Sequence, residues 1–184
     1  HRAIIILIIF LIVFLTRFVY FSQTDTFTGD QSYYILRQAE NIQETGKPLY
    51  EDPYSYGGRA YFFTPIYHYI VAIILFITKS SLALKIVNNL FATSIVIGAY
   101  LLTRIITKKD YIAALLSLIS GFVPVYFTTT VNSLNPAALF YPVLLILLYY
   151  ISKLKKNQEK YTSSVIFLFF LMIILTPLAI VLIL

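Results

Sequence analysis

Six apolar runs, at about residues 3–21, 62–78, 85–106, 110–128, 136–152 and 163–184, constrain this chain more than any other feature. A helix needs about 20 apolar residues to cross the hydrocarbon core of a bilayer. Inside lipid, every backbone N–H and C=O must be satisfied within the spanning structure itself. Five of the runs reach that length, some with their flanking residues. The second does not: from Pro65 to Thr78 it has 14 residues, opens on a proline and carries His68. Runs of about 10–14 residues suit interfacial or re-entrant segments. The expected fold is therefore all-α, a polytopic transmembrane bundle of five spans with a juxtamembrane helix and a re-entrant or interfacial helix; six spans is the alternative. The first run, broken between Ala3 and Val19 only by Thr16 and Arg17, is too long for a cleaved signal peptide and reads as a retained span. The chain opens on His1 and stops within an apolar run, so residues 1–184 are expected to be the N-terminal part of a longer transmembrane domain.

Composition agrees with the runs. Apolar residues make up 59% and charged residues 12%, against about 45–50% and about 25% in a soluble domain. A soluble enzyme, a disordered tail and a nucleic-acid-binding module are excluded on that ground. The absence of cysteine removes disulfide and thiolate chemistry. With only His1 and His68, no metal-ligand set is nominated.

The placement of charge supplies the topology. Basic residues mark cytoplasmic loops. Arg104, Lys108 and Lys109 form one cluster, and Lys153, Lys155, Lys156 and Lys160 another, two spans apart. Both belong inside, with Arg2, if residues 62–78 do not cross. The segment 22–61 is then the first extracytoplasmic loop of a multi-pass cell-membrane protein. Six of the eight acids (Asp25, Asp30, Glu40, Glu44, Glu51, Asp52) lie in this loop against Arg37, Lys47 and Arg59, a net charge of −3. The rest of the chain carries +9. The positive excess is topology; the acidic loop is where chemistry is to be sought.

Within the loop, residues 30–45 read as a helix. Thr28 and Gln31 have capping-box spacing and Asp30 is an alternative N-cap. Ile35, Ala39 and Ile42 share a face with Tyr34 beside them, whereas Arg37, Glu40, Gln43 and Glu44 look elsewhere. Gly46 ends the helix and Pro48 blocks its return. Such a helix lies flat in the interface, its apolar face in lipid or on the spans. Eight of the sixteen tyrosines, Tyr33 and Tyr34 among them, fall between residues 33 and 69. Their rings suit sugar faces and membrane interfaces alike.

The ordered set Asp30-Gln31-Ser32-Tyr33-Tyr34-Ile35-Leu36-Arg37, Gly46, Asp52 and Thr64-Pro65-Ile66-Tyr67 resembles the first outer loop of the GT-C glycosyltransferase superfamily. Protein O-mannosyltransferases, lipid A aminoarabinose transferases and oligosaccharyltransferase catalytic subunits share that pattern. The motifs cover about residues 3–80, and the remainder matches by span pattern only. The resemblance implies transfer of a sugar, outside the cytoplasm, from a polyprenyl- or dolichyl-phosphate donor to a glycan, protein or lipid acceptor. Asp30 is then the catalytic carboxylate, by its place at the opening of the first-loop helix.

Elementary chemistry is compatible with that assignment. A phosphate departs without strong acid help, whereas an acceptor hydroxyl benefits from a carboxylate within hydrogen-bond reach. The departing phosphate calls for cations and N–H donors, for which Arg59 and Lys47 are candidates with Arg37 behind them. Asp25 and Asp52 complete the candidate substrate-binding set with Tyr33 and Tyr34. Direct inversion by one carboxylate is the simplest route; a covalent route with Asp25 as the second carboxylate stays open. Two departures bear on cofactors. Mannosyltransferases commonly have Asp-Glu where this chain has Asp30-Gln31. The later loop 128–136 holds no acid to complete a divalent-metal site, so the cofactor is left open. Asn132 and Asn135 in that loop are acceptor candidates, although Asn135-Pro136 is equally an N-cap and first-turn pair. Lys85, at the start of a span, is a further candidate for lipid phosphate, and His68 for substrate contact. The competing class is a non-catalytic or lipid-transporting membrane protein, for which broken helices and mid-membrane ionisable groups are the signatures.

Overall fold

The computed structural model describes residues 1–52, 59–60, 64–154 and 157–176. In chain order these form α1 (Arg2–Phe21), α2 (Asp30–Thr45), β1 (Glu51–Asp52), β2 (Arg59–Ala60), α3 (Ile66–Ile77), α4 (Ser81–Thr93), α5 (Ile95–Thr107), α6 (Asp110–Gly121), α7 (Pro124–Thr130), α8 (Ala137–Leu154) and α9 (Gln158–Leu175). The molecule is an all-α bundle, and β1 and β2 are a two-residue antiparallel pairing. The tail of the last apolar run, residues 177–184, lies outside the described residues.

Among the described residues, four segments are long and apolar enough to cross a membrane: α1, the joined α4–α5 (Ser81–Thr107, 27 residues), α8 and α9. The α6–α7 pair, bent by 49°, makes a fifth if the two halves are one span. Helix α3 has 12 residues, about 18 Å at 1.5 Å per residue, short of the roughly 30 Å hydrocarbon core. Two starts differ from the apolar runs because polar residues cap them. Ser80 accepts from Ala83 N, so α4 begins before residue 85. Asn157 accepts from Lys160 N, so α9 begins before residue 163.

Helix α1 shows how such a segment is sorted. Ile9, Val13, Arg17 and Phe21 recur every four residues and are buried, while Ile4, Leu7, Ile8, Leu11, Leu15 and Val19 stay exposed. An all-round apolar helix with one covered stripe is what a lipid environment permits. The covered stripe meets α4, α5 and α6 in a core of Ile9, Val13, Ala92, Ile95, Val96, Tyr126 and Ala138. Two glycines let backbones approach: a Cβ on Gly121 would meet Val13 Cγ1 at 2.6 Å, and one on Gly98 would meet Leu145 Cβ at 2.7 Å. Small residues at such crossings are the usual device of membrane helix packing.

Helix α2 begins and ends where the sequence places it, but its neighbour is more specific than the expected lipid or span surface. Ile35, Ala39 and Ile42 pack chiefly on α3, in a second core with Phe27, Tyr67, Val71, Ala72, Leu84 and Leu134. Gln43 Nε2 also donates to Ala72 O at 2.9 Å. The loop helix and the short apolar helix thus cover each other at one end of the bundle. At the opposite end, Arg2 at the start of α1 lies 3.3 Å from Asp110, which also pairs with Arg104.

Candidate functional site

The first turn of α2 is held by its surroundings, not by a capping side chain. The expected Thr28 capping box is not formed. Thr28 N and Oγ1 instead donate to Asn132 O at 2.8 and 3.0 Å. Gly29 is the N-cap, at φ +82°, with no side-chain cap bond. An L side chain is strained there. Asp30 is therefore the first helical residue, not the N-cap, and it is exposed. A carboxylate at that position interacts favourably with the helix dipole and is not consumed by capping.

Beneath it lies a buried polar framework. Ser32 Oγ donates to Thr28 O at 3.2 Å and accepts from Leu134 N at 3.0 Å. The Tyr67 hydroxyl donates to Asn88 Oδ1 at 2.7 Å and accepts from Asn135 N at 3.1 Å. Asn88 Nδ2 donates to the carbonyls of Thr130 and Ser133 at 2.9 and 2.8 Å. Asn89 Nδ2 donates to Lys85 O and Val131 O, each at 2.8 Å, while its Oδ1 accepts from Arg17 Nε at 2.8 Å. Arg17 Nη2 donates to Thr130 Oγ1, and the guanidinium lies 5.0 Å from the Phe127 ring centre and 5.7 Å from that of Tyr126. Among the described residues Arg17 Nη1 has no hydrogen-bond partner.

Lys85 serves the loop above. Its Nζ donates to the carbonyls of Phe21, Thr24 and Thr26, drawing the 22–28 segment onto α4. Arg17 and Lys85 are both fully buried, and among the described residues neither has a carboxylate within ion-pair distance. Their charges rest on backbone carbonyls, one amide oxygen, the hydroxyls of Thr130 and Thr24, and aromatic faces, a solvation shell made of protein.

This framework shapes two adjoining cavities. A polar one of about 230 Å³ lies between Thr28, Gly29, Gln31 and Ser32 at the start of α2 and Thr128, Thr129, Ser133 and Asn135 opposite. An apolar one of about 570 Å³ follows α8 along Ala137, Tyr141 and Leu145. Its other walls are Val125, Tyr126 and Thr129 of α7, Ser120 and Val123 where α6 breaks, and Ile95 at the start of α5. Thr129 and Asn135 line both cavities, and Asn135 Nδ2 donates to Thr129 O at 3.2 Å between them. From Ala137 to Leu145 the groove descends about 12 Å into the bundle at the helical rise.

The candidate residues are dispersed relative to this pocket. Asp30 stands between the lining residues Gly29 and Gln31. Asp25 is exposed in the turn whose carbonyls Lys85 holds. Lys47 follows Gly46 at the far end of α2, a 16-residue helix of about 24 Å, so it does not meet Asp30. The chain then folds back, with Leu49 N and O bonded to the Gln38 side chain at 2.7 and 2.9 Å. Asp52 and Arg59 stand in register across β1 and β2; their side chains lie outside the description. Tyr33 turns away onto Phe27, its ring 6.4 Å from that residue's. Tyr34 is half-buried against His68, ring centres 6.1 Å apart. His68 itself is buried on α3 between Tyr34 and Tyr67. Lys85 is committed to its carbonyls and does not point to a lipid phosphate.

Sequence reasoning passed over Asn88 and Asn89, named Tyr67 only within the Thr64-Pro65-Ile66-Tyr67 motif, and met Arg17 only as an interruption of the first apolar run. The signal was available: polar residues inside a membrane helix face the protein interior as a rule, and Arg17 continues the Ile9–Val13 stripe. Asn135 does cap α8, its Oδ1 accepting from Ala137 N at 2.9 Å. No group of three or more His, Asp or Glu side chains able to hold a metal occurs among the described residues. No family model, no curated protein and no solved structure matches the chain.

Proposed function

We propose that this chain belongs to a membrane glycosyltransferase that moves a sugar from a polyprenyl-phosphate donor to an acceptor on the extracytoplasmic side, with Asp30 as general base. The observation that carries the reading is the pair of cavities that meet at Thr129 and Asn135: an apolar groove within the bundle adjoins a hydroxyl- and amide-lined pocket, and the exposed Asp30 stands between two of that pocket's lining residues, Gly29 and Gln31. That arrangement suits chemistry on the polar end of a membrane-bound molecule. Asp30 accepts the proton of the acceptor hydroxyl as its oxygen bonds to the anomeric carbon, and the phosphate leaves with the electrons of the broken C–O bond. Of the cations named from sequence, Lys47 is too far from Asp30 to assist that departure. The role then falls to Arg59, on the strand pair that follows the chain's return along α2.

Sidedness follows from the charge rule. Arg2, Arg104, Lys108 and Lys109 gather at one end, assigned to the cytoplasm, and the α2 end faces outward. The natural absence of cysteine makes this directly testable: cysteines at Ser80 and at Lys109 are expected to react with an impermeant reagent from opposite sides. The deciding experiment is transfer of labelled sugar from a polyprenyl-phosphate donor by the full-length protein and by Asp30→Asn. Loss of turnover with donor binding retained is expected; unchanged turnover rejects the assignment. A lipid-transporting protein is the second reading, favoured by the 49° break between α6 and α7 beside the groove. It predicts lipid movement across vesicles with no sugar transferred.

A further inference from the structure

The lining of the pocket says more about which molecule it receives. Every side chain that lines it among the described residues is uncharged, with Gln31, Ser32, Thr128, Thr129 and Asn135 offering hydroxyls and amides. Phosphate recognition uses Arg, Lys or clustered N–H donors; here the Ser32, Thr128 and Thr129 hydroxyls already donate to backbone carbonyls, which leaves the threonine oxygens as acceptors beside the Gln31 amide for the hydroxyl protons of a polyol. The groove beyond Thr129 and Asn135 is walled mainly by apolar and aromatic side chains, and descends the bundle beside the exposed Val125. It receives a hydrocarbon chain without desolvating charge.

We infer that the groove and pocket together hold a membrane-embedded acceptor, an amphiphile whose hydrocarbon chain lies along α8 and whose uncharged, hydroxylated head enters the pocket with one hydroxyl at Asp30. This rests on the transferase reading for the word acceptor, though the binding it describes does not. The acceptor hydroxyl loses its proton to the Asp30 carboxylate. Its oxygen bonds to the anomeric carbon of the polyprenyl-phosphate sugar, and the phosphate departs with the electron pair, so that the product is a glycolipid one sugar longer. The charged donor head is held outside this pocket.

The test uses the full-length protein in phosphatidylcholine vesicles and hexadecyl glucoside carrying a diazirine near the end of its chain. Crosslinking is expected on groove residues of α7 or α8. Unlabelled hexadecyl glucoside should suppress it at least about tenfold better than hexadecyl phosphate or methyl glucoside at equal concentration, a difference of about 1.4 kcal/mol. Equal competition by hexadecyl phosphate overturns the uncharged head, and equal competition by methyl glucoside overturns the requirement for a chain. Filling the groove with Ala137→Phe or, deeper, Leu145→Phe should abolish crosslinking, and unchanged crosslinking in both overturns the site. The wild-type competition stands even if either variant fails to fold. Asp30→Asn should transfer no sugar to hexadecyl glucoside. Wild-type crosslinking without any transfer rejects the transferase reading and leaves the binding inference standing. Transfer to methyl glucoside as fast as to hexadecyl glucoside keeps the transferase and rejects the inference.

Discussion

The two ends of the bundle handle positive charge in opposite ways. At the Arg2 end, Arg2 and Arg104 share Asp110, a carboxylate in the first turn of α6, and the Arg2 side chain is 64% exposed. At the α2 end, Arg17 and Lys85 are fully buried with no acid within ion-pair distance among the described residues. Exposed ion pairs contribute little, since solvent and ions already stabilise the separated charges. A buried cation is worth what its hydrogen bonds make of it, and leaving its acceptors unpaired is costly. The difference teaches where the bundle invests order: the Arg2 end marks a side of the membrane, while the α2 end fixes the loops that shape the cavities.

The strongest way to break this contrast is Arg17→Met. It strands Asn89 Oδ1 and removes the donor to Thr130 at the end of α7, and is expected to cost about 2–4 kcal/mol. The measurement is the denaturation midpoint in detergent. A loss no larger than that of Asp110→Asn would mean that Arg17 is not structural. Next comes Lys85→Met, which frees three carbonyls between Phe21 and Thr26 at a cost of about 1–3 kcal/mol. Its signature is local: faster amide exchange and proteolysis over residues 22–28, with α8 and α9 unchanged. The smallest effect belongs to Asp110→Asn, whose amide oxygen can still accept from Arg104 and Tyr100, and which is expected to lower the denaturation midpoint less than Lys85→Met does. A large shift there would erase the distinction between the ends.

Much of the fold was legible in the sequence, because lipid leaves few choices. Apolar run length alone separated the short α3 from the spans, and Gly46 with Pro48 fixed the end of α2. The start of α2 was less legible. Thr28, Gly29 and Asp30 are all acceptable caps, and what decides among them is the carbonyl of Asn132, a hundred residues away in sequence. The buried framework was hidden for a related reason. In α1 every face is apolar, so only the charge of Arg17 says that it points inward and nothing names its partners; Asn88 and Asn89 interrupt their run too briefly to shift its hydropathy. Of the candidate site, Asp30 was found by motif. The hydroxyl lining beside it comes from two segments far apart in sequence, brought together by Thr28 on Asn132, by Ser32 on Leu134, and by Tyr67 and Asn88.

The joined α4–α5 helix, at 27 residues, is about 40 Å long, some 10 Å more than the hydrocarbon thickness it crosses. Such a mismatch is relieved by tilting the helix or by letting its end stand clear of the acyl chains. The end in question carries Lys85 and, through it, the loop beside Asp30. The height of the Asp30 carboxylate above the acyl chains is therefore a function of bilayer thickness. A membrane of longer acyl chains should draw it closer to the headgroups.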